Sequence, residues 1–503
     1  MIWVIKPLMS SLIELKNFVK RQFPKAKIVI ASKSEPYRHN RKRDEIVVTK
    51  GADGLVAALD PVMQAVDGIW VAAGLADADF EDTDEAGRIR VPVDTKKYTL
   101  KRLAFSEVEK EAMNNTAPGG FWPLCHICFV EPIFDKKDWD EYKKINKRVA
   151  DAILEELDGK EGVVWLHDYH LVMCAKYLKE KNPNLTVGLF WHIPWPDWET
   201  FVRHPWSEDI IEGMLANDLL GFHTKYYCNN FIRCCQRVTE ATVDNDYMTI
   251  IKGTNRTKVM AFPISIDFRK FDNLSQRLDK KYLSKVREKY RLKDRIVAMS
   301  AERFVYTKGI KQKIKAVDRL LSRNPDLIGK FVFLDITALA GSHSLLEAGK
   351  RYHDECIKLM YAVNEKYETS EWQPIVLTEY FVKPRELCAI YSMSDICFIT
   401  PLHDGMNLVA KEYLASKPNL DGALILSEFA GAAVELKESI LVNPFSVEEL
   451  TDSIEQALSM PDAEKHWRMN VLRSRVKANN VYDWAKEFFM ELSVLHSERK
   501  AIE

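Results

Sequence analysis

The stretch DICFITP-LHDGMNL runs from a compact apolar pattern through Pro401, His403, Asp404, Gly405, Met406 and Asn407 into the helical pattern LVAKEYLAS (408–416). Free backbone N–H groups at such a helix start make an anion site, and Gly405 lets a diphosphate approach closely. Glu412 follows about one helical turn after Leu408, where a carboxylate can accept hydrogen bonds from two sugar hydroxyls. An Asp cap followed by a surface Glu has the same pattern, so further motifs must decide. EIVVTK-Gly51-Ala-Asp-Gly54-LVAALDPV again reads as strand, glycine turn and helix. It is no full GxGxxG fingerprint and lacks the Walker Lys-Ser/Thr, yet facing another anion loop Gly54 can touch the same diphosphate from the other side. In Ala301-Glu302-Arg303-Phe-Val-Tyr306-Thr307-Lys308-Gly309, a forked guanidinium and a compact ammonium follow a strand pattern. Arg303 and Lys308 there can neutralise a departing diphosphate as its charge develops.

WLHDYH places His167, Asp168 and His170 at one strand end, and LFWHIPWPDWE places His192 at the next. His-x-x-His without a regularly spaced third ligand favours hydrogen bonding to sugar hydroxyls over a metal. Trp191, Trp195 and Trp198 either face a sugar ring or pack a core. The pairs Asp77/Asp79, Asp82/Asp84 and Asp244/Asp246 match the Asp-x-Asp with which another transferase architecture holds a divalent ion. The first two lie in the acidic run DADFEDTDE, which reads as a solvated loop, and the third in a turn. No metal or other cofactor is expected. Cys125-His-Ile-Cys128 is a lone CxxC; the nine cysteines lack framework spacing, and Cys234 and Cys235 are adjacent. Reduced thiols in a cytoplasmic protein fit that usage.

The elements that must position these residues follow one grammar twice. KIVIAS (27–32), EIVVTK (45–50), GIWVAAG (68–74), GVVWLHD (162–168), TVGLFWH (186–192) and LLGFHT (219–224) read as strands. So do RIVAMSAE (295–302), KFVFLDI (330–336), QPIVLTE (373–379), DICFITP (395–401) and GALILSE (422–428). Continuous apolar runs indicate parallel strands covered on both faces. Helical patterns such as INKRVADAILEEL (145–157) and IKAVDRLLSRN (314–324) alternate with them. The expected fold is α/β: two Rossmann-like doubly wound domains facing a cleft, residues 1–262 and 263–477. The hinge is placed at AFPISID (261–267), where Pro263 breaks the pattern. A terminal helix within 478–503, VYDWAKEFFMELSVL, is free to cross back to the first domain. A further amphipathic helix covers 8–23.

The 503 residues carry 72 basic and 73 acidic side chains. With no excess of basic charge, a protein that tracks duplex nucleic acid is not expected, while a locally basic groove for a small phosphorylated ligand stays open. No apolar stretch is long enough to span a bilayer. Small-molecule substrates are the expected partners, with no nucleic acid and no membrane; a homo-oligomer is open.

WLHDYH, HIPWPDWETF, LLGFHT, FPISID, ERFVYTKG, TPLHDGMNLVAKEY and SEFAGAAVEL, in this order across residues 27–495, resemble the trehalose-6-phosphate synthase family of retaining glycosyltransferases. The resemblance implies a GT-B fold, a nucleoside diphosphate sugar as co-substrate, no catalytic metal and a phosphorylated acceptor, glucose 6-phosphate by default. It also implies roles. Gly54 approaches the donor phosphates, and Arg303 and Lys308 bind the diphosphate. His192 lies near the donor sugar's 6-hydroxyl, Asp404, Gly405, Met406, Asn407 and Leu408 contact sugar and phosphate, and Glu412 contacts the ribose. Asp168 hydrogen-bonds the acceptor and Trp122 lines its site. Departures cluster on the acceptor side: the family's Ser-Asn-Arg reads Ser32-Lys33-Ser34, a Tyr becomes Met113, and a phosphate-binding Arg aligns near His343. Val305 replaces an Asp and His403 an Arg near the donor loop. Lys33, with Arg38, Arg41, Lys42 and Arg43 close by, can substitute for the lost grip. Glu35-Pro36-Tyr37 resembles the glucosylglycerol-phosphate synthase branch, so a polyol phosphate or pseudo-sugar acceptor is the alternative. A non-catalytic regulatory homologue is a third reading, opposed by the intact donor set.

Overall fold

The computed structural model describes residues 11–43, 45–51, 54–338 and 346–502. Among them the chain divides into two compact units. One is Ser265–Asn480, and the other joins the chain up to Ile264 to the segment from Val481 onward.

The unit built from both chain ends contains β1 (Lys27–Ala31), β2 (Tyr37–Lys42), β3 (Glu45–Lys50), β4 (Ile69–Ala73), β5 (Arg88–Val91) and β6 (Tyr98–Leu103). β7 (Gly162–His167), β8 (Thr186–Phe190), β9 (Leu219–Phe222), β10 (Thr242–Asp244), β11 (Thr249–Lys252) and β12 (Asn255–Ala261) complete it. Ten of these form one sheet in the order β10-β11-β12-β9-β8-β7-β1-β4-β6-β5. The strands from β12 to β6 are parallel, and antiparallel partners close both edges. β7, β8 and β9 are buried along their whole length, as their unbroken apolar runs require. From β1 the chain steps through β4 and β6 to one side, whereas β7, β8, β9 and β12 lie on the other. The β1/β7 boundary is therefore a topological switch point, where ligands of open α/β sheets bind beyond the strand ends.

EIVVTK departs from expectation. As β3 it pairs antiparallel with β2 in a separate two-stranded ribbon, register Tyr37↔Lys50 to Lys42↔Glu45. Val47 and Val48 remain 36% and 39% exposed. β-branched residues announce a strand without choosing its partner.

The terminal helix Val481–Ile502 packs on this sheet: Trp165 of β7 stacks on Phe488 with ring centroids 4.4 Å apart. Thr186 bonds His496 Nδ1 at 2.8 Å and Lys258 pairs with Glu491 at 2.7 Å. The N-terminal helix is Leu12–Gln22, closed by a Ser11/Glu14 capping box, and residues 8–10 lie outside the described residues. It buries Leu15, Phe18 and Val19, and Phe23 just beyond it meets Phe489 edge-on, centroids 6.2 Å apart.

The second unit holds β13 (Ile296–Arg303), β14 (Phe331–Ala338), β15 (Ile375–Thr378), β16 (Ile396–Ile399), β17 (Ala423–Ser427) and β18 (Ile440–Val442). Its sheet is entirely parallel in the order β15-β14-β13-β16-β17-β18. That is the doubly wound order 3-2-1-4-5-6, with the switch point between β13 and β16. Three-residue β18 is too short to leave a run in the sequence.

Candidate active site

At the β13/β16 switch point three loops are tied to one another. After β13, a 3-10 turn at Tyr306–Lys308 leads into Gly309 and the helix Ile310–Arg323. Gly309 has φ +66°, and a Cβ there would stand 2.5 Å from Thr400 O. Only glycine lets this turn approach the end of β16 so closely. Leu402 N donates to Thr307 O at 2.7 Å. Lys308 Nζ then reaches Asp404 Oδ2 at 2.5 Å, the same oxygen that accepts from Asn407 Nδ2 at 3.1 Å.

Asn407 is the N-cap of helix Leu408–Ala415: its Oδ1 accepts from Ala410 N at 3.1 Å. Its φ of 83° is rare for a side-chain-bearing residue, and such strain persists where surroundings hold it. The holding comes from the loop after β17. Asp404 N donates to Phe429 O, Gly431 N to Asp404 O and Ala432 N to Met406 O, all within 2.9–3.1 Å. A Cβ on Gly431 would fall 2.0 Å from Gly405 O. Asp404, Gly405, Met406, Asn407 and Leu408 are thus one rigid run ahead of a helix N-terminus, suited to an anion. Glu412, farther along that helix, accepts from Tyr391 OH at 2.9 Å. Burial pushes its carboxyl up to about 7, against the pull of Tyr391 and Lys270. Arg303 ends β13 and is half-buried.

Beneath these loops lies a charged cluster that the motifs do not announce. Lys313 is fully buried, bonds Ser300 Oγ at 2.9 Å and pairs with Glu302, the neighbour of Arg303. Asp335 lies opposite Ser300 in the β13/β14 register. Burial pushes Asp335 up to about 8, opposed by Lys313 and reinforced by Glu302. One ammonium balances one carboxylate; Glu302 makes the direct contact, so Asp335 keeps its proton at neutral pH.

In the other unit, Asp168 and His192 come together just past the ends of β7 and β8, beside the β1/β7 switch point. Asp168 has φ 72°. Its N–H donates to Phe190 O at 2.7 Å, and its Oδ1 accepts from His192 N at 3.1 Å. Lys33, on the loop after β1, donates from Nζ to Asn114 Oδ1 at 3.0 Å. Asn114 ends the helix Glu107–Asn114 and follows the buried Met113. A π-helical segment, Asn115–Phe121, comes next, and such segments recur at functional sites. It delivers Trp122, 3% exposed, stacked on His126 with centroids 4.0 Å apart.

Gly54 opens the helix Gly54–Val66 and is exposed. It follows the β2/β3 ribbon, so its turn is not at the end of a parallel strand; Ala52 and Asp53 lie outside the described residues. His343 lies outside them too. Trp191 and Trp195 are fully buried core residues, not sugar platforms, and Trp198 lies under the Arg237 guanidinium. The acidic run is not wholly solvated: Asp79 is 0% exposed, and its carboxylate accepts from His39 N at 2.8 Å and lies 3.3 Å from buried Arg102. Arg102 also binds Glu35 at 2.8 Å and Tyr37 O at 2.7 Å, fixing the segment after β1. Arg41, at the exposed end of β2, pairs with Glu81. All nine cysteines are free thiols. Among the described residues, no three His, Cys, Asp or Glu side chains are grouped to hold a metal, and no helix is long and apolar enough to cross a membrane.

A family model described as Glycosyltransferase family 20 matches residues 25–494. Similar proteins include the trehalose-6-phosphate synthase of Mycobacterium ulcerans (strain Agy99), 33% identical over 483 residues and covering 94% of each chain. That of Mycolicibacterium smegmatis is 34% identical over 456 residues, 88% of this chain and 87% of its own. Among solved structures, an E. coli protein bound with UDP-2-fluoro glucose aligns at TM-score 0.82 and 26% identity, over 93% of this chain and 99% of that one. An alpha,alpha-trehalose-phosphate synthase (UDP-forming) from Burkholderia xenovorans, in complex with glucose-6-phosphate, shares the fold at TM-score 0.83 and 24% identity, over 93% and 100%. With two doubly wound sheets and matches spanning nearly its whole length, the chain belongs to glycosyltransferase family 20, the retaining GT-B transferases of the trehalose-6-phosphate synthase type.

Proposed function

We propose that the protein moves a glucosyl group from UDP-glucose to a phosphorylated acceptor, glucose 6-phosphate in the first instance, without a metal or other cofactor. Support for the donor comes from the relative solved with a UDP-sugar analogue and from the three knitted loops at the β13/β16 switch point. The observation that carries the reading is Lys308 held on Asp404 beside a helix N-terminus, with Arg303 at the end of the same β13. Lys308, Arg303 and the N–H groups after Asp404 stabilise the departing diphosphate, and Glu412 holds the ribose. His192 takes the donor sugar's hydroxyl, and Asp168 and Trp122 the acceptor. The acceptor hydroxyl attacks from the face the diphosphate leaves, giving retention, and its proton passes to a leaving-group oxygen. No enzyme nucleophile takes part. The free thiols and the absence of a membrane-spanning helix among the described residues suit a cytoplasmic enzyme acting on small molecules.

A polyol phosphate acceptor is the second reading. It is favoured by the remodelled phosphate grip, in which Lys33 engages Asn114 next to buried Met113. The test is UDP release from UDP-glucose across glucose 6-phosphate, glycerol 3-phosphate and unphosphorylated glucose, with the product anomer read by NMR. Release with a phosphorylated acceptor and an α-linked product is expected. Release indifferent to the acceptor's phosphate, or an inverted product, would overturn the proposal.

A further inference from the structure

His167 closes β7, and His192 stands two residues past the end of β8, its neighbour in the sheet. Their rings meet: His167 Nδ1 lies 3.0 Å from His192 Nε2. A hydrogen bond between two imidazole nitrogens needs one N–H and one lone pair, so it couples the tautomers of the two rings. Burial holds both rings well below the usual histidine range, and His167 and His223 depress His192 further. Both are therefore neutral at physiological pH, and each neutral ring carries a single N–H.

The two histidines are not equivalent. His192 keeps partial exposure, whereas His167 is 0% exposed. The His192 main chain is pinned from two sides, its N–H on Asp168 Oδ1 and its carbonyl accepting from His223 Nε2 at 3.0 Å. With Nε2 engaged by His167, Nδ1 is the ring atom left to meet a ligand. His167 is walled by Trp165, centroids 4.6 Å apart, and Trp484, at 6.4 Å. Its Nε2 is buried and has no hydrogen-bond partner among the described residues. A phenylalanine would fill this aromatic niche without stranding a polar nitrogen. What the imidazole adds is the bond to His192.

We propose that His167 is a positioning residue for sugar transfer: it clamps His192 Nε2, and so holds that ring with Nδ1 toward the donor sugar's hydroxyl, in a tautomer set jointly with its own. This rests on the reading of His192 as a donor-side residue. His167 touches no substrate, and its effect runs wholly through His192.

Two substitutions separate this role from packing. His167→Phe keeps the ring and its aromatic neighbours but removes the hydrogen bond. His167→Asn loses ring volume but places an amide group where Nδ1 stood. In full-length protein, kcat and the UDP-glucose KM are measured by UDP release, with thermal midpoints recorded alongside. His167→Phe is expected to keep a near-normal midpoint yet lose about tenfold in kcat/KM, the worth of one hydrogen bond at the reacting sugar. His167→Asn is expected to be less stable but faster than His167→Phe. Added to His192→Ala, His167→Phe should lower the rate no further, since the two act as one unit. Wild-type rates in His167→Phe, an Asn variant slower than the Phe variant, or losses that multiply in the double variant would each overturn the clamp. If His192→Ala itself runs at the wild-type rate, the donor-side reading of His192 fails and the clamp with it. A slow His192→Ala beside a fast His167→Phe removes the clamp alone.

Discussion

On the proposed function, in which Glu412 holds the ribose, its carboxyl sets a pH dependence on donor binding. A carboxylate accepts both ribose hydroxyl protons, and the neutral acid cannot do so with both oxygens. With its pKa lifted to about 7 by burial, the binding form is lost as pH falls below that value. The UDP-glucose KM is therefore expected to rise about tenfold per unit below pH 7 and to level off above it. In Glu412→Gln the KM should be high and flat over the same range; a wild-type KM that ignores pH between 5 and 8 would refute the assignment. At this scale the sequence was informative where chemistry is local. Lys308, Asp404 and Asn407 lie in two short motifs, and the structure puts their side chains within hydrogen-bond reach of one another. It was silent on Lys313, Glu302 and Asp335, ordinary members of a helix and two strands that become a buried ion pair beside a protonated carboxyl only through tertiary packing. Asn114 was missed for the same reason: nothing near Lys33 in the chain signals a partner 81 residues away.

Between residue and fold, the loop after β17 acts as a brace for the run from Asp404 to Leu408. Because a Cβ on Gly431 would fall 2.0 Å from a backbone oxygen, Gly431→Ala must displace the run rather than rotate a side chain. The expected outcome is a stability loss of about 1–3 kcal/mol and at least tenfold weaker UDP-glucose binding by calorimetry. Unchanged affinity would show that the brace does not position the donor loop. Asp335 couples the same region to pH through stability. Its folded pKa of about 8 lies above its unfolded value of 3.8, so between those values the folded state holds a proton that the unfolded state has released. Stability from this group is complete below pH 3.8 and declines as pH rises toward 8. Glu35, also lifted to about 8 by burial, acts in the same direction. Asp335→Asn, a mimic of the neutral acid, should flatten the decline and melt above wild type at pH 9. A steeper decline in the variant would mean that Asp335 is ionised in the fold. Most strands were legible because doubly covered strands need unbroken apolar runs. The β2/β3 ribbon was misread because β3 has the same β-branched composition with no sheet above or below it.

Among the described residues, one unit is continuous and the other is closed by the C-terminal helix. Trp484, Phe488, Phe489 and Leu492 are at most 2% exposed, and burial of such side chains contributes roughly 1.5–3 kcal/mol each. Together that is comparable to the whole stability of a domain, about 5–15 kcal/mol. A fragment ending at Ile264 should therefore fail to fold cooperatively, and adding residues 481–503 in trans should restore a transition. The fragment 265–480 should fold alone. A cooperative melt from the shorter N-terminal fragment would contradict this. The terminal helix was legible from its amphipathic pattern, which left its return to the first unit open; its grip on β7 through Trp165 depends on a contact that only folding creates. Whether Arg303 and Lys308, at the end of one parallel sheet, draw a diphosphate away from a sugar is read from UDP release with UDP-glucose and glucose 6-phosphate in wild type and in Arg303→Ala/Lys308→Ala. Turnover in the wild type and a loss of at least about a thousandfold in the double variant are expected, with thermal midpoints close together; a folded double variant turning over at near wild-type rates would refute the role of the two cations.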